Sequence, residues 1–397
     1  MEKHLSFTDI LSVYLNEGQL NEFLKSGDDN ISSVSFAEEI NLLNRQFIVS
    51  RRIRIENLIT LTEKELPKIK YVDLFLYLSK HSINIGLFHL AEDIIRLLIE
   101  KITDIEKLKD YLATAYFNLG EIYFRQGYWK KAESELLKAK RIFQSEKNRN
   151  GVFRCENMIS AILGEKGDMN KALKNFHKLL GEINPKKEKY LYAMVESNIG
   201  ILNQALHNFD ESVSYLNRAL IYFSQIGESA RVAEIKYNIA NLFYLQKDYA
   251  KAVEKIDEAA QAAVAAEHLP FLCLCFVTKA DSLLNQNDFK PAAALADLAM
   301  DISSRINDRL SIADIYKVKG KIELELQNYD YAENLLLTSL RLNREAENKY
   351  NIAETCLSLS RLYKLKKKPK ESAKFQILAL LYFNEIKMHT YVGQNNS

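Results

Sequence analysis

Residues Ala113 to Phe143 read ATAYFNLGEIYFRQGYWKKAESELLKAKRIF, two short amphipathic segments joined by a tight turn. Small residues stand at Gly120, Ala132 and Ala139, and large apolar ones at Tyr116, Leu119, Tyr123, Leu136 and Phe143. The same pattern recurs six more times at one fixed interval. Gly120 is followed by Ser160, Gly200, Ala240, Ala280, Gly320 and Ser360; Ala132 by Ala172, Ser212, Ala252, Ala292, Ala332 and Ser372. Ala139 is followed by Leu179, Ala219, Ala259, Ala299, Ser339 and Ala379. Only Leu179 departs from Gly, Ala or Ser. A fixed period of this length is the mark of a solenoid.

The small residues have a packing reason. Helix axes approach to about 8 Å only where the contact side chains are small. Glycine inside a helix costs about 1 kcal/mol relative to alanine, so Gly120, Gly200 and Gly320 mark forced close approaches. Large residues at i, i+3, i+4 and i+7 fill the space around them. The spacing Tyr116-Leu119-Gly120-Tyr123-Ala132-Leu136-Ala139 resembles the tetratricopeptide repeat. That resemblance implies an all-α, right-handed superhelical solenoid of about eight helix hairpins. The usual repeat is about 34 residues long. The longer units here imply longer helices, with about six extra residues shared across the loop between repeats.

The chain of 397 residues divides into a helical N-terminal segment (1–68), a repeat array (69–387) and a disordered tail (388–397). The array opens on a degenerate repeat (69–108), in which Ser79 and Ala91 stand at the small positions; seven 40-residue repeats follow. Between repeats lie polar breaks, and Gly181 to Lys187, with both Gly and Pro, is the expected flexible joint.

Composition excludes several classes. The 54 basic and 52 acidic residues nearly cancel, so no bulk field points to nucleic acid or membrane. Ser50-Arg51-Arg52-Ile53-Arg54 is basic, but Glu38, Glu39 and Glu56 balance it as a solvated face. No apolar run approaches a membrane span, and the N-terminus lacks a signal-peptide pattern. Cys155, Cys273, Cys275 and Cys356 are scattered and read as reduced thiols of a cytoplasmic protein. No phosphate-cradling glycine loop, nucleophile elbow or H-E-x-x-H is present, and no Cys/His set has zinc spacing. No enzyme activity, metal or cofactor is expected.

The positive signal is a ladder of amides. Two residues before the Gly120 register stand Asn118, Asn198 and Asn238, with Asn157 one residue earlier in its repeat and Thr278 and Ser358 as polar stand-ins; Val318 breaks the ladder in the sixth repeat. The tetratricopeptide resemblance implies that this position lines the concave groove and grips an extended peptide. A carboxamide offers donors and an acceptor, and neighbouring first helices lie about 10 Å apart, near three residues of extended chain. Phe117, Glu121, Arg125, Arg154, Glu165, Tyr237, Asn241, Tyr244, Asp281, Lys317, Lys321 and Arg361 would add selectivity.

Three functions are compatible with this pattern. The first is a non-catalytic adaptor binding a protein or extended peptide in the groove. The second is a peptide-sensing regulator whose N-terminal bundle is switched by groove occupancy. The layout of about 70 helical residues before the repeats is similar to that of bacterial Rap-type response-regulator phosphatases and quorum-peptide receptors. The third is a homo-oligomeric scaffold. Phe375 to Phe383 is apolar on nearly every face, and Phe375, Leu378, Leu381 and Tyr382 would meet a second copy or a partner.

Overall fold

The computed structural model describes residues 66–386, with residues 18, 53, 57, 59 and 62. Most of the N-terminal segment, including the arginines at 51, 52 and 54, and the tail from 388 lie outside the described residues. The described chain holds sixteen α-helices and one 3-10 turn, Glu106–Leu108. They pair as α1 (Lys68–Asn84) with α2 (Phe88–Ile102), α3 (Lys109–Arg125) with α4 (Trp129–Ser145), and α5 (Arg149–Glu165) with α6 (Met169–Glu182). The fourth and fifth hairpins are α7 (Lys189–Ala205) with α8 (Phe209–Gln225) and α9 (Ser229–Leu245) with α10 (Tyr249–Ala265). Then come α11 (Leu269–Asn285) with α12 (Phe289–Ile306), α13 (Arg309–Glu325) with α14 (Tyr329–Glu345), and α15 (Lys349–Leu365) with α16 (Pro369–Glu385). The molecule is an all-α solenoid.

The true period is half of the sequence repeat. Helices α3, α4 and α5 each have 17 residues, most of the others match them, and the turns between them are short. A left-handed residue recurs at this half interval, among them Gly127, Lys147, Gly167, His207, Gly227, Lys247, Glu267, Asn287, Asn307, Gln327, Glu347 and Lys367. Each closes the preceding helix: after Gly127, the amide of Tyr128 donates to the Tyr123 carbonyl at 2.8 Å. Several of the next helices then open on a capping side chain, as when Asn148 Oδ1 accepts from the Gly151 amide at 2.9 Å. The extra residues of each repeat therefore lengthen the helices and leave no longer loop between repeats, because a continued helix satisfies its own backbone groups. The exceptions are Thr103–Leu108, with its 3-10 turn, and Ile183–Glu188, after the short α6. In the latter, Asn184 Oδ1 accepts from the amides of Lys186 and Lys187, and Glu188 Oε2 accepts from that of Asn184, so the segment expected to flex is tied.

The small positions are close approaches. A Cβ on Gly120 would sit 2.7 Å from Leu136 Cγ, and one on Gly320 2.7 Å from Leu336 Cγ. Around them Leu136, Phe143, Phe176, Phe223, Ile256 and Leu336 are fully buried. The position held by Leu136, Phe176, Leu216, Ile256, Ala296 and Leu336 becomes Gln376 in α16, where it is exposed. The last described hairpin thus carries an exposed polar residue where the earlier ones carry a buried apolar one, a feature the apolar reading of Phe375–Phe383 overlooked. Phe375 stacks on Tyr363 at 5.5 Å, and Phe375, Leu378 and Tyr382 pack partly into the C-terminal core. Leu381 alone of the four expected contact residues stands largely exposed.

The superhelix meets itself. The turn of the first hairpin abuts the end of the sixth: a Cβ on Gly86 would lie 2.9 Å from Ile306. The next turns do the same, Gly127 against Leu310 at 3.0 Å and Gly167 against Ile386 at 2.5 Å. Polar bridges follow this seam, with Lys130 Nζ on Glu347 Oε1 at 2.6 Å and Arg309 Nη1 donating to Tyr128 Oη at 2.9 Å. His207, Lys247, Asn287, Gln327 and Lys367 hold the same left-handed turn position in later hairpins. At 86, 127 and 167 φ reaches +75° to +95°, beyond the +55° to +65° of those residues, so backbone angle and the opposing side chains both select glycine there. Gly167→Lys is expected to lower the unfolding temperature, by about 1–3 kcal/mol of overpacking, and to enlarge the radius of gyration in small-angle scattering. His207→Lys, at the same turn position away from the seam, is the control and should do neither.

Candidate binding channel

The first helices of the hairpins face inward, and their polar side chains bond from one hairpin to the next. Asn198 Nδ2 donates to Asn157 Oδ1 at 3.0 Å between α7 and α5. Gln204 Nε2 donates to the Asn238 carbonyl at 2.9 Å, and Tyr237 Oη lies 3.0 Å from Thr278 Oγ1. Tyr244 Oη donates to Asp281 Oδ2 at 2.6 Å, and Lys321 Nζ donates to the other Asp281 oxygen. Lys317 Nζ reaches Asn351 Oδ1 at 3.0 Å, and Arg361 reaches Glu325 at 2.5 Å. Helices held in parallel at nearly one interval place equivalent positions side by side, which is why one step of the sequence repeat becomes a hydrogen bond.

The ladder is more buried than its sequence position implied. Asn118, Asn157 and Asn238 are all buried, and Asn241 is half-buried. Asn157 and Asn198 hold each other, so an incoming backbone must exchange with that pair. Phe117 is buried under the Arg154 guanidinium, 4.3 Å from the ring centre.

A second network crosses the channel. Arg125 on α3 reaches Glu234 on α9 at 2.9 Å, and Arg231 reaches Glu234 at 2.7 Å and Glu121 at 3.5 Å. His268 Nε2 stands 3.4 Å from the same Glu234 carboxylate, and Arg231 Nε donates to Tyr190 Oη at 3.2 Å. Burial alone would raise the Glu234 carboxyl; Arg231 and Arg125 overrule it and hold it well below the usual range. Glu121 is lowered against burial by Arg231, Arg125 and Lys80. Burial pushes His268 down despite its carboxylate neighbour, favouring neutral imidazole. The two arginines thus share two carboxylates, a neutral network that closes the tight superhelix from inside.

Glu121 and Arg125 were legible as inward residues, but Arg231, Glu234, His268 and Tyr190 were missed. They sit near the starts of first helices, and their partners lie up to 110 residues away. No local pattern carries that contact. Farther along the channel, Glu165 is unlike the others. Water reaches it, yet burial and the neighbouring Asp314 carboxylate push its own carboxyl up to about 7.

Residues 113–145 and 191–265 each match a model of the tetratricopeptide repeat. Those two stretches are tetratricopeptide repeats, and the hairpins around them continue the same all-α solenoid. No curated protein matches it in sequence. Among solved structures the array is similar to a Rap protein complexed with competence and sporulation factor: TM-score 0.64, 14% identity, covering 96% of this chain and 99% of that one. It is also similar to the Rap conjugation gene regulator of plasmid pLS20 in complex with the Phr* peptide (0.57, 15%, 80% and 96%). A third similar structure is aspartyl phosphate phosphatase F from Bacillus subtilis (0.53, 14%, 90% and 96%). At these identities the likeness is one of fold.

Among the described residues no helix is long and apolar enough to cross a membrane, and no His/Cys/Asp/Glu group is arranged to hold a metal. All four cysteines are unpaired and buried, and burial raises the Cys155 thiol to about 12.

Glu234→Gln leaves two guanidinium groups without their shared anion, and a loss of about 3 kcal/mol is expected from urea denaturation. Glu165 gives the opposite pH signature. Its folded value near 7 exceeds the ordinary 4.5, so its contribution is present below the ordinary value and lost as pH rises toward 7. Relative to Glu165→Gln, the wild type should therefore lose melting temperature across that window. Water screens the effect, so the sign of the trend is the test.

Proposed function

We propose that this tetratricopeptide protein is a non-catalytic adaptor that holds an extended peptide or protein segment in its channel. The carrying observation is the continuous polar lining, with amides and charges of both signs bonded from one first helix to the next. Such a lining can exchange internal hydrogen bonds for those of a peptide backbone, and a backbone supplies donors and acceptors along its whole length. Asn118, Asn157, Asn198, Asn238 and Asn241 supply amides; Glu121, Arg125, Lys317 and Lys321 supply charge; Phe117, Tyr237 and Tyr244 supply rings. The mixture of signs favours a ligand read along its length over one held by a single terminal carboxylate.

A second reading is a peptide-sensing regulator in which channel occupancy switches residues 1–68. The likeness over nearly the whole chain to a Rap protein in complex with competence and sporulation factor favours it.

The test is a comparison of wild type and Asn118→Ala/Asn198→Ala/Asn238→Ala as bait in native lysate, with bound chains identified by mass spectrometry. Circular dichroism first establishes that the variant is folded. Loss of a bound peptide or protein by about tenfold or more is expected. Retention of the same partners at the same level refutes the channel as the working surface. For the regulator reading, the recovered ligand should change protease cleavage within residues 1–68, and an unchanged pattern counts against it.

A further inference from the structure

The last hairpin carries a surface that the channel does not use. Its turn, residues 364–370, reads KLKKKPK, with Lys364, Lys366, Lys367, Lys368 and Lys370. The equivalent turns of the six preceding 40-residue repeats hold at most one lysine each. Lys366 has a structural task, bridging Asp330 at 2.6 Å and Glu333 at 2.7 Å. Lys364, Lys367, Lys368, Lys370 and, one turn on, Lys374 are exposed and join none of the ion pairs found among the described residues.

Their placement works against the helix they precede. Lys368 is the N-cap residue of α16 and makes no side-chain cap; it is a cation where five of the seven earlier second helices open on Asp or Asn (Asp168, Asn208, Asp248, Asp288 and Asn328). Cations at a helix N-terminus oppose its dipole. Lys368 and Lys370 are therefore a local cost to α16 that an anionic partner reverses, whereas Lys364 and Lys366 sit favourably at the C-terminus of α15.

Apolar side chains continue the same face. Lys370, Lys374, Ile377 and Leu381 fall at i, i+4, i+7 and i+11, one stripe along α16. Ile377 is 58% exposed and Leu381 54%. Leu337, at the register of Ile377 on the neighbouring α14, adds 38%. The stripe spans about 16 Å, three helical turns.

We propose that this outer face of α14 and α16 docks an acidic amphipathic helix of another protein, with carboxylates over the lysines and an aliphatic row over Leu337, Ile377 and Leu381. A second copy of this chain fits poorly, because the lysines of both copies would face each other. A bilayer fits poorly too: three aliphatics give little insertion. Nucleic acid would leave the aliphatic row without a partner. The surface lies on second helices, so it stands or falls separately from the channel.

The test uses the full chain and a fluorescent synthetic helix about 18 residues long, with leucines on one face and glutamates flanking them. Controls are the same peptide with Ser for Leu, the same peptide with Lys for Glu, and vesicles containing phosphatidylserine. The Glu/Leu peptide should bind in a salt-sensitive manner. Lys370→Glu/Lys374→Glu and, separately, Ile377→Ser/Leu381→Ser should each weaken it by about tenfold or more. Asn118→Ala/Asn198→Ala/Asn238→Ala should leave it unchanged. The proposal is overturned if the Glu/Leu peptide does not bind or binds both surface variants equally. It is likewise overturned if the Glu/Ser peptide binds as tightly, or if the vesicles bind in preference.

Discussion

The left-handed turn that recurs between successive helices, from Gly127 to Lys147 to Gly167 and onward, is the constraint on which the rest of this structure rests. It ends each helix after nearly the same number of residues, so every helix begins in the same phase as the last. Equal phase brings Gly120 against Leu136, Gly200 against Leu216 and Gly320 against Leu336 in the same way each time. It also stacks the first helices so that positions one repeat apart in sequence become neighbours. The polar ladder from Asn157 to Arg361 follows from that regularity. Where α6 ends early, at Ile183–Glu188, Asn184 and Glu188 side chains tie the longer link, and α7 still begins at the regular interval.

Regular stacking leaves one quantity open, the pitch of the superhelix, and here side-chain fit at the seam closes it. Ile306, Leu310 and Ile386 press against turns that carry no side chain. Inside, Arg125, Arg231, Glu121 and Glu234 join hairpins that are distant in sequence. Burying four charges together is tolerable because each is paired more than once; removing one would leave the others unbalanced in a poorly solvated place. The lining therefore serves two ends. It holds the coil tight, and it is the set of groups with which an extended ligand would have to exchange.

The lysines of the channel differ from those at the C-terminal hairpin. In the channel, Lys317 and Lys321 each have a carboxylate or amide partner. Around the last turn, among the described residues, only Lys366 has a carboxylate. Gln376 is exposed, and Ile377 and Leu381 remain outward. The hairpin thus combines a polar residue at the register of the earlier apolar contacts with a basic and aliphatic side.

The sequence by itself determined the hairpins, their small-residue contacts and the tetratricopeptide class, because those depend on side chains within one repeat or the next. Phe117, Glu121, Tyr237, Tyr244, Lys317 and Lys321 were legible as inward residues for the same reason: helical phase is local. What Asn157 and Asn198 do with their amides was not legible, since a side chain's partner depends on the distance between helices. The closure of the coil was decided only in three dimensions. Gly86, Gly127 and Gly167 occupy turn positions that other residues fill elsewhere at smaller φ, and the arrival of Ile306, Leu310 and Ile386 from a distant hairpin leaves no room there for a side chain. Small rotations at each repeat add up over the array, and their sum, which no single repeat encodes, sets which side chains finally meet.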